Sequence, residues 1–291
     1  MNNYLWLVRR EFWENRAIWM IPTAMGAVLI LAALFGNVDR MAIPAQFPSN
    51  AVGQLFVVAV GATFFAVMSI YSTWYLLDCL YADRKDRSVL FFKSMPISDA
   101  TTVLSKLLTA LIVIPLVYFA AADLTALTMA FIVSVRAHST VGGALWHADL
   151  WLQLQALWIY LIVTTAIWYL PVAAYLLVIS AWAKRAVTLW SILPPIALLL
   201  TERWFLGSHV ILDELGARLI GYAPLAFHVN QGDSAWVTTV TEHDTIRTPA
   251  NLLSLMNVHG FFSSPEAWIG VAVGAALIFC AVQLRMRRTE I

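Results

Sequence analysis

Charge is scarce in this sequence. Of 291 residues only 12% are charged, against 61% hydrophobic, and thirteen are tryptophan. A soluble domain of this length has no use for so much apolar surface, so the chain reads as membrane-embedded. Lys and Arg number 18 against 17 Asp and Glu, a net charge of +1. That balance gives no electrostatic basis for binding nucleic acid. Cysteine is nearly absent: Cys79 and Cys280 fall near predicted cytoplasmic helix ends, where a structural disulfide is not expected. There is no G-x-x-x-x-G-K-[ST], so any ATP must be held by another polypeptide. H-E-x-x-H, paired cysteines and Gly-x-Ser-x-Gly are missing too. No catalytic residue and no metal site is assigned. His138, His147, His209, His228, His243 and His259 all fall in predicted external segments, without the i, i+4 spacing of a helix-borne metal site. No internal repeat or low-complexity tract is evident. Arg9, Arg10, Glu11, Glu14 and Arg16 interrupt the N-terminus, so no cleavable signal sequence is expected.

What is present is a series of apolar runs. They predict an all-α integral membrane protein with six transmembrane helices, a single domain over residues 1–291. Residues 2–16 read as an interfacial helix: Tyr4, Leu5, Val8 and Phe12 share a face, and Arg10, Glu11 and Glu14 lie largely opposite. Trp6 and Trp13 suit the headgroup level. A plain flank of the first span is the alternative. The first span covers about Ala17 to Phe35 and the second about Gln54 to Leu80. On the second, Ala62, Ala66, Ser69, Ser72 and Thr73 form a small or hydroxylated face, suited to helix packing or to the wall of a pathway. The third span, about Lys106 to Val135, contains Asp123, an expensive residue at membrane depth. A proton or substrate site and a hydrogen bond to a neighbouring helix are both open, and the structural role is the reading taken. The fourth, Leu150 to Trp182, should kink at Pro171. The fifth, Ala186 to Thr201, is short and carries Pro194 and Pro195.

Residues 207–264 are too charged to span and too amphipathic for a simple loop. Val210, Ile211, Leu215 and Leu219 share one helical face, so a re-entrant or interfacial helix with that face buried on protein is expected. Thr248-Pro249 reads as an N-cap and N1 proline opening a second short helix through Met256. The sixth span, about Ala267 to Leu284, carries Gly270 and Gly274 as a packing pair, and Arg285, Arg287 and Arg288 end it. With both termini inside, thirteen basic residues fall in the cytoplasm and only Arg40, Arg136, Arg203, Arg218 and Arg247 outside.

The loop at residues 81–106 organises the rest. Asp83 to Arg87 are charged, Val89, Leu90, Phe91 and Phe92 form an apolar turn, Lys93 follows, and Pro96 stops the short helix. Ser98 can cap the next helix, with Asp99 in its first turn. Such an amphipathic helix, held crosswise, suits a groove on a soluble partner. The runs Asp86-Arg87-Ser88-Val89-Leu90 and Ser94-Met95-Pro96-Ile97-Ser98, with Lys106 downstream, resemble the cytoplasmic loop of ABC-2 type transporter permeases. Many members have Glu-x-Gly-Thr where this chain has Asp-Arg-Ser. Recognisable residues cover about the first third, and the topology covers the whole chain.

The resemblance implies several things. Asp86, Arg87, Val89, Leu90, Phe91, Phe92, Lys93, Pro96 and Ser98 would form the coupling helix that meets an ATP-binding subunit, which holds ATP and Mg. Residues 2–16, with Arg9, Arg10 and Glu11, would be the elbow helix along the cytoplasmic leaflet. Two ATP-binding subunits and a second permease copy, a homodimer or a paired permease, are the implied partners, within the lipids of the cell membrane. Family members also have a short fifth span followed by helices dipping into the outer leaflet. The second and fifth spans line the cavity in that family, so Ser69, Ser72, Thr73, Pro194 and Pro195 are candidate pathway residues, with Asp123 of the third span a further candidate as an intramembrane carboxylate. The alternative is an ATP-independent six-span enzyme or assembly factor, and as an intramembrane protease its candidate acids would be Asp123 and Glu202.

Overall fold

Uninterrupted apolar sequence becomes long helix wherever the backbone can satisfy itself away from water. The computed structural model describes residues 3–36, 49–85, 98–136, 145–228, 236–240 and 245–287. Helix α1 covers Asn3–Glu14 and α2 covers Ala17–Phe35, matching the expected first span. Helix α3, Ser49–Lys85, runs past the expected second span at both ends. The third span starts earlier than expected. Asp99–Leu108 (α4) and Ile114–Arg136 (α5) are joined by a π-turn, Thr109–Val113, into one helix of 38 residues. Helix α6, Ala148–Trp182, is continuous through Pro171. A turn through Ala186, in the left-handed region at φ 51°, leads into α7, Val187–Thr201.

The protein is a multi-pass helical membrane protein with five helices long and apolar enough to cross: α2, α3, the joined α4–α5, α6 and the last helix, α11, Pro265–Arg287. Helix α7 is not among them. Its 15 residues reach only about 22 Å, short of a hydrocarbon core of about 30 Å. A second π-turn, Glu202–Leu206, extends it.

The core gathers where α3, α5 and α6 meet, around Phe64, Ile114, Tyr118, Leu154 and Leu177, with Ile18 of α2 at its edge. Small residues set the close approaches. Trp158 of α6 lies so near Gly61 of α3 that an added Cβ would stand 2.1 Å from the indole. Gly274 of α11 would likewise meet Leu170 of α6 at 2.8 Å. Gly270 makes room for something else, the Arg218 guanidinium, at 2.3 Å from an added Cβ.

Between α7 and α11 lie α8 (Val210–Ile220), α9 (Tyr222–Ala226), a hairpin of β1 (Trp236–Val240) and β2 (Thr245–Pro249), a 3₁₀ turn at Leu253–Leu255, and α10 (Val258–Ser263). Thr248-Pro249 therefore ends a strand and does not open a helix. The strands pair antiparallel from Trp236↔Pro249 to Val240↔Thr245. Their β-branched residues favour the pleat, and a proline is tolerated at the end of an edge strand. The orientation expected for α8 is also corrected. Val210, Ile211 and Leu219 are exposed and Leu215 is half-buried, while Arg218 is the residue of α8 that packs against α6 and α11. Apart from the hairpin, the described elements are helical.

Candidate functional site

Asp86, Arg87, Val89, Leu90, Phe91, Phe92, Lys93 and Pro96 lie outside the described residues. Both stems of that segment are described, and both enter one buried ion cluster. On the first stem, the last turns of α3 bring in Asp83. On the second, Ser98 caps α4 by accepting from the Thr101 N–H at 3.1 Å, and Asp99 stands in the first turn. Capping and first-turn charge are the local reasons α4 begins here.

Lys106 Nζ contacts Glu11 Oε1 at 2.9 Å and Asp83 Oδ1 at 3.2 Å. Arg285 Nη1 reaches Asp83 Oδ2 at 3.2 Å, and its Nε reaches Asp99 Oδ1 at 2.9 Å. The result is a chain of alternating sign, Glu11–Lys106–Asp83–Arg285–Asp99, drawn from α1, α3, α4 and α11. Glu11 and Lys106 are each only 2% exposed. Glu11 is further held by the Tyr75 hydroxyl at 2.8 Å and by Arg10 Nη2 at 3.3 Å. Charges this deep persist only with complete pairing, because an isolated ion would lose its hydration without compensation.

A second clamp stands beside it. Arg84 donates to the carbonyls of Ser180 and, at 2.9 Å, of Ala183, at the C-terminus of α6. A cation there meets the otherwise orphaned carbonyls and the negative end of the helix dipole. Ser180 Oγ accepts from the backbone of Leu80 and Tyr81, each at 3.1 Å. The segment 86–97 thus leaves and rejoins a base tied to α1, α6 and α11 together.

Sequence patterning misplaced Glu11. It belongs by spacing to the polar side of α1, yet it turns into the bundle with Leu7, which is 5% exposed, while Glu14 of the same side stays exposed. Arg9 stays outside the cluster and Arg10 touches its edge. Asp99 and Arg285 were read as a helix start and a stop-transfer residue, and Tyr75 was not singled out. Nothing in local spacing joins residues 95 or 202 positions apart.

The candidate pathway residues do not converge with the cluster. Asp123 accepts from Gln155 Nε2 and Trp158 Nε1, both at 2.8 Å, the hydrogen bond to a neighbouring helix favoured by the sequence reading. Phe119 stacks on Trp158 at 4.4 Å between ring centroids and steadies that donor. Ser69 and Thr73 return their hydroxyls to carbonyls of their own helix, and Ser72 reaches Ala110 O at 3.4 Å. Ala62, Ala66 and Thr73 are exposed, so most of that face is open within one copy and Ser72 is its contact to a neighbouring helix. Pro194 and Pro195 sit half-buried within α7.

Glu202 has a structural post. Its carboxylate accepts from the Ile211 N–H at 2.9 Å and from Ser208 Oγ at 2.8 Å, closing the N-terminus of α8. Burial pushes its pKa up, but these donors outweigh that and hold it below the ordinary 4.5.

Comparison with protein-family models, curated proteins and solved structures finds no match.

Proposed function

We propose that this chain is the membrane-spanning permease subunit of an ATP-binding cassette exporter of the ABC-2 type. It would form the translocation pathway as one half of a homodimer and be driven by two copies of a separate subunit holding ATP and Mg. One observation carries the reading: both stems of the 86–97 segment are locked into a buried ion cluster with α1 and α11. A loop that receives force from a partner must pass it to spans without yielding at its base. A buried, fully paired cluster meets that need, since breaking any one contact strands a charge.

Six crossings with both termini in the cytoplasm complete the proposal. Helix α7, Val187–Thr201, would be the remaining, short crossing, with the π-turn Glu202–Leu206 beyond its end. Its charged pair Glu202-Arg203 would stand at the far boundary. The basic residues Arg84, Lys85, Lys184, Arg185, Arg285 and Arg287 would share the cytoplasmic side.

The test is capture of an ATPase subunit by affinity-purified permease at matched membrane expression. The intact protein should retain it. Phe91→Ala and Phe92→Ala should each weaken capture by about 2 kcal/mol or more, as aromatic anchors do, while rim charges matter less. If the intact protein retains no ATPase subunit, the reading falls and the ATP-independent alternative replaces it.

A further inference from the structure

Helix α1 has two faces with different tasks. Leu7 and Glu11 turn into the bundle. On the opposite side Trp6 is 55% and Trp13 68% exposed, with Arg9 exposed between them. Spacings of three and four residues put these three on one stripe. Arg16, exposed in the turn that follows, extends it. The Arg9 guanidinium lies over the Trp6 ring at 5.5 Å. Neither Arg9 nor Arg16 makes an ion pair among the described residues, whereas neighbouring Arg10 is paired with Glu11 and Glu14.

Covalent geometry fixes where this stripe sits. Only Asn15 and Arg16 separate α1 from α2, which is long and apolar enough to cross the bilayer. Two residues reach no more than about 10 Å, so the C-terminal end of α1, with Trp13 and Arg16, is held at the membrane surface. The exposed side of α2 continues the stripe with Trp19 and Met20. Indoles favour the headgroup level, and guanidinium forks match phosphate oxygens.

We infer that Trp6, Arg9, Trp13 and Arg16 form a docking surface for anionic phospholipid in the leaflet on the N-terminal side. The tryptophans seat the helix among the headgroups. The two unpaired arginines select net negative lipid over zwitterionic lipid, whose choline cation repels them. Because Glu11 holds Lys106 from the other face of the same helix, the lipid surface also braces the ion cluster. This does not rest on the exporter reading.

The experiment uses the full chain in mild detergent, equilibrated with equal amounts of phosphatidylglycerol and phosphatidylcholine, with the retained lipid read by mass spectrometry. Phosphatidylglycerol should be enriched in the intact protein. The preference should fall about fivefold for each arginine removed in Arg9→Gln and Arg16→Gln, singly and together, the effect of a basic residue near a charged surface. The double Arg→Lys variant should keep it. Soluble glycerol phosphate should not compete, because the surface takes lipid and not free phosphate. An unchanged preference in the folded glutamine variants, or none in the intact protein, would overturn the assignment, as would loss of the preference to glycerol phosphate. Should the double glutamine variant fail to fold, the single variants decide.

Discussion

The two ends of the bundle are held together by opposite chemistry. At the end carrying α1 and the base of segment 86–97, formal charges do the joining: Glu11, Lys106, Asp83 and Arg285 alternate in sign below the surface, with half-buried Asp99 at the end of the chain. At the far end, neutral donors do most of it, beside the Arg218 guanidinium, which donates to Glu266 O at 3.0 Å. Tyr160 donates to Ala226 O at 2.7 Å, Trp168 Nε1 to Arg218 O at 2.8 Å, and the Tyr222 hydroxyl shares hydrogen bonds with Thr164 and Thr165. Burial pushes the Tyr222 hydroxyl up to about 12, so it stays neutral. Aromatic rings fill the space between, as where Trp168 meets Phe261. The contrast teaches that the ends should fail differently. Loss of one member of a charge chain strands its partners, whereas loss of one neutral bond leaves its neighbours in place.

The largest effect is expected at Lys106. Lys106→Met leaves Glu11 and Asp83 facing each other without their shared cation and should cost about 3–5 kcal/mol. Thermal unfolding of the purified protein reads this. Adding Glu11→Gln to Lys106→Met should recover part of the loss, and strict additivity of the two changes would deny the pairing. Next comes the α6–α11 seam. Gly274→Val pushes a side chain into Leu170 and should cost about 1–3 kcal/mol, measurable by the same unfolding and unaffected by salt. Smaller still, Trp168→Phe removes the bond to Arg218 O while keeping the aromatic body. About 1 kcal/mol is expected, and hydrogen exchange should rise in α8 but not in α4. An equal rise in both would erase the distinction between the ends.

The smallest effect is one of pH. Glu202 has a folded pKa below its ordinary value, so its stabilisation is fully present above about 4.5. It is lost as pH falls through the lowered folded value. Protection of the Ile211 amide should therefore drop in acid, and Glu202→Gln should flatten that dependence. A drop that persists in the glutamine variant would assign it to another group.

Much of the helical frame was legible. Ala17–Phe35 is bounded by charge on one side and Gly36 on the other, so hydropathy alone delimits it. Ser98 was legible because capping is a local act, decided within three residues. Gly270 was recognised as a close contact, but its occupant is an arginine from α8, which helix-packing patterns do not name. The ion cluster was illegible for the same reason. Each charge has a sufficient local excuse, as flank, cap or stop signal, and only the fold shows them sharing one place. The hairpin was missed because Thr-Pro fits the start of a helix as well as the end of a strand, and pairing across the turn decided between them.

The π-turn at Thr109–Val113 carries a consequence for how this helix keeps its bearings. A π-turn holds one residue more than the α-turn it replaces, so it advances everything beyond it by one step, about 100° around the axis. Lys106 below the turn aims at Glu11 and Asp83, and Asp123 above it aims at Gln155 and Trp158. The extra residue is what keeps these two compass headings in phase. Deleting one residue from the turn would leave a smoother helix that could satisfy its lower station or its upper one, but not both.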